Sequence, residues 1–311
     1  MGGKCRCLLL LLPLCLCLTL VGSASDSVTL KQAGPARFRA DSTEVLIHVT
    51  VTDSRGRLIT TLRGDDFQVT DNDRSQRVQH FSKEESPISI AIVLDLSGSM
   101  AERIGSLREA VTRFLKVANP EDEFCLIELR DRAELVSGFS TAREEIGGRL
   151  AQAQAEGHTA LLDGMYLGLQ QMKKARHLRK ALLVVSDGGD NHSRFSARDV
   201  RSLALESDAD VYAIESRRAS SMWVPEQNGL LDGLAEQTGG RDYLVDDLRE
   251  AAQAAEKIGL ELRSQYLIGY APSNLQRDGK YHRVRVKVVP PLGQPKMWAQ
   301  WRRWYYAPQD F

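Results

Sequence analysis

Cysteine is scarce in this sequence once the first residues are set aside. Of the five cysteines, Cys5, Cys7, Cys15 and Cys17 lie in an apolar stretch at the amino terminus. The remaining one, Cys125, lies in the apolar run EFCLIEL, a pattern typical of a strand. A lone thiol cannot close an internal disulfide, which excludes a disulfide-stabilised framework for the rest of the chain. We therefore expect Cys125 to be a buried, unreactive thiol.

An excess of basic charge is also missing, and so are the common signatures of catalysis. Lys and Arg number 41 and Asp and Glu number 41, so nothing in the composition indicates a nucleic-acid partner. Beyond the first residues there is no P-loop, no G-x-S-x-G, no H-E-x-x-H and no C-x-x-C motif. The hydrophobic share of 42% and the charged share of 26% are ordinary for a globular protein.

Residues 1–25 have the pattern of a secretory signal peptide. Two cations precede an apolar core at 8–21, and small residues follow it, which predicts cleavage after residue 24 or 25. We expect a secreted or periplasmic protein with no membrane span after cleavage. An uncleaved signal acting as an anchor and a lipid on Cys15 remain as alternatives, although a bulky leucine precedes that cysteine.

The rest of the chain divides by its hydrophobic periodicity. Residues 37–86 alternate between apolar and polar positions, which predicts short antiparallel strands, and residues 264–308 do the same. Between them, residues 87–263 alternate strand-like and helix-like segments. This pattern predicts an α/β domain, a doubly wound and mostly parallel sheet with helices on both faces. Neither flank is large enough to bury much core alone. We therefore expect 37–86 and 264–308 to pair into one antiparallel β-sandwich-like module, with the α/β domain inserted between them.

The most informative stretch is ISIAIVLDLSGSM at residues 88–100. Its apolar run predicts a strand that is covered on both faces, and the run ends at Asp95. Ser97 and Ser99 follow on alternating positions, with a helical pattern from about residue 101. Ligands of open α/β sheets bind beyond the carboxyl ends of the strands, where these three side chains would lie. Carboxylate and hydroxyl oxygens suit a hard divalent cation such as Mg²⁺.

The D-x-S-x-S string resembles the metal-ion-dependent adhesion site, or MIDAS, of von Willebrand factor type A domains. Thr159 in EGHTALLDG and Asp187 in ALLVVSDGGDN match the two further loops of that family. The resemblance implies that Ser97, Ser99 and Thr159 contact Mg²⁺, or Mn²⁺ or Ca²⁺, while Asp95 and Asp187 act partly through water. It also implies a free coordination position for an Asp or Glu carboxylate of another protein. The whole arrangement is similar to a group of exported bacterial proteins, many from acidobacteria, in which such a domain is flanked by β segments.

We therefore predict a non-enzymatic, metal-dependent protein-binding module of adhesion type. In one alternative, Asp95, Ser97 and Ser99 merely cap the following helix and Asp187 lies in a turn. In a second, Asp95 is the nucleophile of a metal-dependent hydrolase or phosphatase, although Ser97 replaces the second aspartate of such enzymes. In a third, the protein is an envelope scaffold whose metal site is dispensable.

Several other side chains have structural interpretations that we prefer to functional ones. We expect Asp190 and Asn191 to form a turn, Asp163 to lie in a first helical turn and His158 to be solvated. The tryptophans at positions 298, 301 and 304 favour a closing strand of the β module, with a membrane-interface or carbohydrate-binding stripe as the alternative. Trp223 lies in a predicted loop at the carboxyl edge of the sheet, where a partner would bind.

Overall fold

The computed structural model of the chain describes residues 44–83, 85–186, 189–216, 229–273, 278–291 and 293–307. The predicted signal peptide, Asp187 and Trp223 lie outside these residues. The strands are β1 (Val45–Asp53), β2 (Phe67–Asp71), β3 (Arg74–Gln76), β4 (His80–Lys83), β5 (Ile88–Asp95), β6 (Glu123–Leu129), β7 (Ala133–Ser140), β8 (Arg179–Ser186), β9 (Ala209–Ser216), β10 (Asp242–Val245), β11 (Tyr266–Tyr270), β12 (Lys280–Val288), β13 (Met297–Trp301) and β14 (Trp304–Ala307). The helices are α1 (Ile104–Val117), α2 (Arg143–Gln152), α3 (Leu161–Gln171), α4 (Ala197–Ser207), α5 (Leu230–Thr238) and α6 (Ala251–Arg263).

A six-stranded sheet in the order β10-β9-β8-β5-β6-β7 forms the centre of the molecule. All neighbouring strands run parallel except β7, which is antiparallel to β6. Every residue of β5 is buried, because this strand lies inside the sheet with helices above and below it. The prediction of a doubly wound α/β domain is confirmed.

Each face of this sheet has its own hydrophobic core. Helices α1, α2 and α6 pack on one face, and α3, α4 and α5 pack on the other. Helix α3 lies very close to the sheet, since a Cβ atom added at Gly164 would be 2.0 Å from Cδ2 of Leu129. The glycine therefore sets the distance between α3 and the strands, and α3 directly follows the loop of Thr159.

The flanking segments form two four-stranded sheets that enclose a third core. Their orders are β13-β1-β11-β4 and β14-β12-β2-β3, so each sheet contains strands from both flanks. The two flanks pair in register, with Val45 opposite Tyr270 and Val69 opposite Val286. The consecutive strands β1 and β2 belong to different sheets, and the apolar side chains of both face the space between the sheets.

A buried polar cluster also joins the flanks. The Asp71 carboxylate accepts hydrogen bonds from the hydroxyls of Tyr270 (3.1 Å) and Tyr305 (2.7 Å). One carboxylate from the amino-terminal flank thus holds two side chains from the carboxyl-terminal flank. Buried hydroxyls without acceptors are costly, so this cluster favours the native pairing over alternatives.

The aromatic residues at the end of the chain do not share one face. Trp301 and Tyr305 pack against the core of the sandwich, as a closing strand requires. Trp298 points outward and is 44% exposed, with the Lys296 ammonium 5.2 Å from the centre of its ring. Among the residues that the structure describes, no helix has the length and apolarity needed to cross a membrane.

Candidate metal centre

Asp95 is the last residue of β5 and is held firmly in place. It has 0% solvent exposure. Its Oδ1 accepts the Ser97 backbone N–H (2.9 Å), and its Oδ2 accepts the Ser186 hydroxyl (2.6 Å). Ser186 ends β8, which pairs directly with β5, so the sheet itself brings the two side chains together. Sequence reasoning missed Ser186, although its position immediately before Asp187 at a strand end was an available signal.

The two serine hydroxyls of the first loop converge. Ser97 Oγ and Ser99 Oγ are 3.0 Å apart, with Ser97 buried and Ser99 exposed. Neighbouring ligands of an octahedral Mg²⁺ ion are expected about 2.9 Å apart, given metal–oxygen distances of about 2.0–2.1 Å. The spacing therefore fits two adjacent positions around such an ion.

Thr159 lies on a second loop that is bonded to the first. The Gly98 N–H donates to the Gly157 carbonyl (3.0 Å), and the Glu156 N–H donates to the Leu96 carbonyl (2.8 Å). Thr159 itself is buried, two residues beyond the first of these contacts. Backbone bonds thus place the predicted ligands of the first and second loops at the same edge of the sheet.

A third loop after β8 is bonded to the second. Asn191 Oδ1 accepts the Thr159 N–H (3.0 Å), and the Asn191 N–H donates to the Thr159 carbonyl (3.1 Å). Asp190 Oδ1 accepts the Leu161 N–H (3.0 Å), and burial raises the pKa of its carboxyl. Both residues thus fix the Thr159 loop, a role that the sequence did not predict. Asp187, on the same loop, lies outside the described residues.

Helix α3 is anchored to the third loop as well. Asp163 is buried, and its Oδ1 accepts the backbone N–H groups of Arg194 (2.8 Å) and Phe195 (3.0 Å). The side chain therefore does more than complement the helix dipole. It fixes the loop that follows Asp187 against the helix that follows Thr159.

Asp131 supports the second loop from the turn between β6 and β7. Its Oδ1 accepts the His158 backbone N–H (2.8 Å) and lies 2.9 Å from His158 Nδ1. The first of these bonds is the main reason that the pKa of Asp131 is lowered. The His158 ring also stacks on His192, with ring centres 5.1 Å apart. His158 is exposed, as expected for a solvated histidine, but these contacts fix its conformation. No signal in the sequence pointed to the role of Asp131.

The donor set determines which metal the site suits. Within the described ranges, no cluster of three or more His, Cys, Asp or Glu side chains could hold a metal ion. A zinc site rich in nitrogen or sulfur ligands is therefore not indicated in that part of the chain. A buried carboxylate with converging hydroxyls fits a hard, oxygen-preferring divalent cation, for which several ligands are neutral.

The family comparison agrees with this architecture. Residues 90–189 match the family model described as von Willebrand factor type A domain. A von Willebrand factor type A structure from Catenulispora acidiphila has a TM-score of 0.51 and 14% sequence identity, covering 78% of this chain and 72% of that one. At this identity, the likeness concerns the fold.

Two further proteins are similar to this chain, one in structure with a lower TM-score and one in sequence over a shorter stretch. Proximal thread matrix protein 1 from the mussel byssus, described with a zinc-occupied MIDAS motif, is 16% identical and covers 60% of this chain and 49% of that chain, with a TM-score of 0.49. That value is too low to support conclusions about this site.

A curated relative, the uncharacterized protein sll0103 of Synechocystis sp. (strain ATCC 27184 / PCC 6803 / Kazusa), is 29% identical over 112 residues. This match covers 34% of this chain and about a quarter of the relative, 26% of its length. The family match contains most of β5, with Asp95, together with Ser97 and Ser99, the Thr159 loop and β8. Residues 90–189 therefore belong to the von Willebrand factor type A family, and the central α/β domain of this chain is a von Willebrand factor type A domain.

Proposed function

We propose that this protein is an exported binding module that captures a carboxylate of another protein through a divalent cation. Domains of this family are generally interaction modules without enzymatic activity, and they commonly bind a divalent metal. The proposed ligands are Asp95, Ser97, Ser99, Thr159 and Asp187, with Mg²⁺ as the preferred ion and Mn²⁺ or Ca²⁺ as substitutes.

The observation that carries the proposal is the pair of serine hydroxyls 3.0 Å apart beside a fully buried aspartate. Ser97 precedes a short 3-10 turn without making a side-chain capping bond, and helix α1 begins after Arg103. Helix capping therefore does not account for the position of Ser97, and metal ligation matches the spacing of the two hydroxyls.

The chemistry of capture follows from the charges of the proposed ligands. Because the two carboxylates are proposed to act partly through water, the direct protein ligands of the cation are mainly neutral hydroxyls, and the ion would keep an attraction for anions. These residues would hold the ion at the solvent-facing end of the strands, where a partner carboxylate would replace a bound water. Ser99 is exposed whereas Asp95 and Ser97 are buried, which puts the accessible side of the site at Ser99.

The hydrolase alternative has less support. Asp95 has 0% exposure, and both of its oxygens accept hydrogen bonds, from the backbone of Ser97 and the hydroxyl of Ser186. A nucleophilic carboxylate must approach its substrate directly. The geometry suits a residue that positions other groups better than one that attacks a substrate.

Calorimetric titration of Mg²⁺ and Mn²⁺ into the chelator-treated protein tests the proposal. We expect binding that strengthens when acetate or a glutamate-containing peptide is present, and a loss of at least tenfold in the Ser97→Ala/Ser99→Ala double variant. Ser75→Ala, at an exposed position on β3, is the matched control and should bind as the unmodified chain does. Equal metal affinity in the double variant and the control would refute the assigned ligands.

A further inference from the structure

The outward face of one sandwich sheet carries a row of charged and aromatic side chains. Strand β12 presents Tyr281, Arg283, Arg285 and Lys287 on alternating positions, and all four are exposed. Alternate residues of a strand are about 7 Å apart, so the row is about 20 Å long. We call these four residues the cationic row.

The neighbouring strands add no negative charge to this face. The outward residues of the sheet are Gln68, Thr70, Ser75, Tyr281, Arg283, Arg285, Lys287, Trp304 and Tyr306. They include three cations and no carboxylate. Two acids lie beside the face: Asp73, in the exposed β2–β3 turn, forms a salt bridge with Arg285, and the charge of Glu206 acts on Tyr281. The face thus has a local positive charge, although the whole chain has a formal net charge of +0.

Aromatic rings organise one end of the row. The Arg283 guanidinium lies 5.9 Å from the centre of the Trp304 ring, a cation–π contact. Tyr281 and Tyr306 meet edge to face, with ring centres 5.5 Å apart and exposures of 39% and 53%. Holding Arg283 on a ring reduces the side-chain entropy that it loses when an anion binds. The two phenol groups offer hydroxyls and apolar ring surface next to that charge.

We propose that this face binds a linear acidic polysaccharide. Sulfate or carboxylate groups along such a polymer would pair with the three cations of the row. Its sugar rings would pack their C–H surfaces on Tyr281 and Tyr306 and form hydrogen bonds with the phenol hydroxyls. A straight row of charges on a flat sheet suits an extended polymer better than a compact ligand, which would need a concave site.

Two other polyanionic partners fit the face less well. Membrane-docking surfaces insert aliphatic or large apolar groups. None of the outward residues of these four strands is aliphatic, and the Trp304 ring lies beneath the Arg283 guanidinium. Single-stranded nucleic acids stack their bases on free aromatic faces. Here Trp304 lies beneath a guanidinium and the two tyrosines lie at one end of the row, so successive bases would find no series of free aromatic faces along it.

The test measures binding of the full chain to heparin and to polygalacturonate at physiological salt, with neutral dextran as a blank. We expect affinity for at least one acidic polymer, falling steeply with salt concentration, because ion pairing releases counterions. The triple variant Arg283→Gln/Arg285→Gln/Lys287→Gln should lose at least tenfold, and Tyr306→Ser should lose severalfold. The matched control removes the same charge from exposed helix positions, as Arg198→Gln/Arg201→Gln/Lys257→Gln, and should bind like the unmodified chain.

Each result of this experiment decides the matter. Polymer binding that persists in excess chelator and is lost only in the row variants supports the proposal. The proposal is overturned if neither acidic polymer binds or if the two triple variants lose the same affinity. It is also overturned if phosphatidylglycerol vesicles or oligothymidylate bind the row more tightly than either polysaccharide. Circular dichroism and thermal melting of each variant confirm that the surface changes leave the fold intact.

Discussion

Gly157 provides a sharp test of how the metal loops are positioned. Its φ is +79°, and a Cβ atom at this position would be 2.6 Å from Asp131 Oδ1. The Gly157→Ala variant therefore faces a backbone conformation unfavourable to alanine and a collision with the carboxylate that holds His158. The Gly157 carbonyl also accepts the bond from Gly98 that links the first and second loops.

The expected magnitude has two parts. A left-handed backbone conformation costs an alanine about 1–2 kcal/mol relative to glycine. The collision must then move either Asp131 or the loop, which displaces Thr159 two residues further on. Changes in groups that orient metal ligands commonly weaken metal binding by about 10–100-fold. We expect a loss of affinity in that range, together with a lower melting temperature.

Gly56 offers a matched control for the backbone part alone. Its φ is +71°, and nothing lies within 4 Å of an added Cβ, so Gly56→Ala has the conformational cost without a collision. Both variants should lower the melting temperature, but only Gly157→Ala should weaken Mg²⁺ binding in the calorimeter. Adding Asp131→Ala to Gly157→Ala should restore part of the affinity. If Gly157→Ala binds Mg²⁺ as Gly56→Ala does, the inferred link between this loop and the metal site is wrong.

Two further predictions concern buried carboxyl groups. Burial, followed by the negative charge of Asp242, raises the pKa of Glu215 from 4.5 to about 8. The folded state thus keeps this proton to higher pH than the unfolded chain does. The free energy of unfolding should therefore fall between about pH 4.5 and 8, by up to ~5 kcal/mol at about 1.4 kcal/mol per pKa unit. Urea unfolding across this range should show a shallower fall in Glu215→Gln, and an unchanged slope would contradict the assignment. In Asp71→Ala, the hydroxyls of Tyr270 and Tyr305 lose their acceptor. Urea unfolding should then show a free energy of unfolding that is lower by about 2–4 kcal/mol. A decrease below about 0.5 kcal/mol would exclude the proposed role of this cluster.

The central sheet was predictable because its strands have local signals. The apolar residues from Ile88 to Leu94 are shielded from water only if both faces of the strand are covered. The segments with a helical pattern that lie between the apolar runs supply the helices that cover them. Asp95, Ser97 and Ser99 were predictable for the same reason. A strand end followed by closely spaced oxygen ligands is visible in a few consecutive residues.

The groups that hold these ligands in place were not predictable in the same way. Ser186 reaches Asp95 across 91 positions of sequence, and Asp131 reaches His158 across 27. Such bonds depend on which strands become neighbours, and the residue types alone do not determine that. A serine at a strand end and an aspartate in a turn can each form several local hydrogen bonds, so their types do not indicate a distant partner.

The β sandwich shows the same limit at a larger scale. Alternation correctly identifies which side chains of β1 and β2 face a core, but it does not specify the partner of each strand. The structure places β1 beside β11 and β13, and β2 beside β12 and β3. The shared core and Asp71 together decide the pairing. Asp71 accepts hydrogen bonds from Tyr270 and Tyr305, which lie 199 and 234 positions further along the chain.

The metal loops and the sandwich that carries the cationic row lie at opposite ends of the central strands. The metal loops follow the carboxyl ends of β5 and β8, whereas the sandwich meets the amino end of β9, where Arg302 donates to the Ala209 carbonyl (2.8 Å). The eight residues of β9 separate these ends by roughly 23 Å, at about 3.3 Å per residue. We therefore expect a carboxylate bound at the proposed metal site to leave the cationic row accessible, so that the two proposed ligands would bind one molecule together. Because a chelator acts on the metal site and salt acts mainly on the row, the two proposed activities can be removed separately. A protein that has both would link a carboxylate-bearing protein to an acidic polymer.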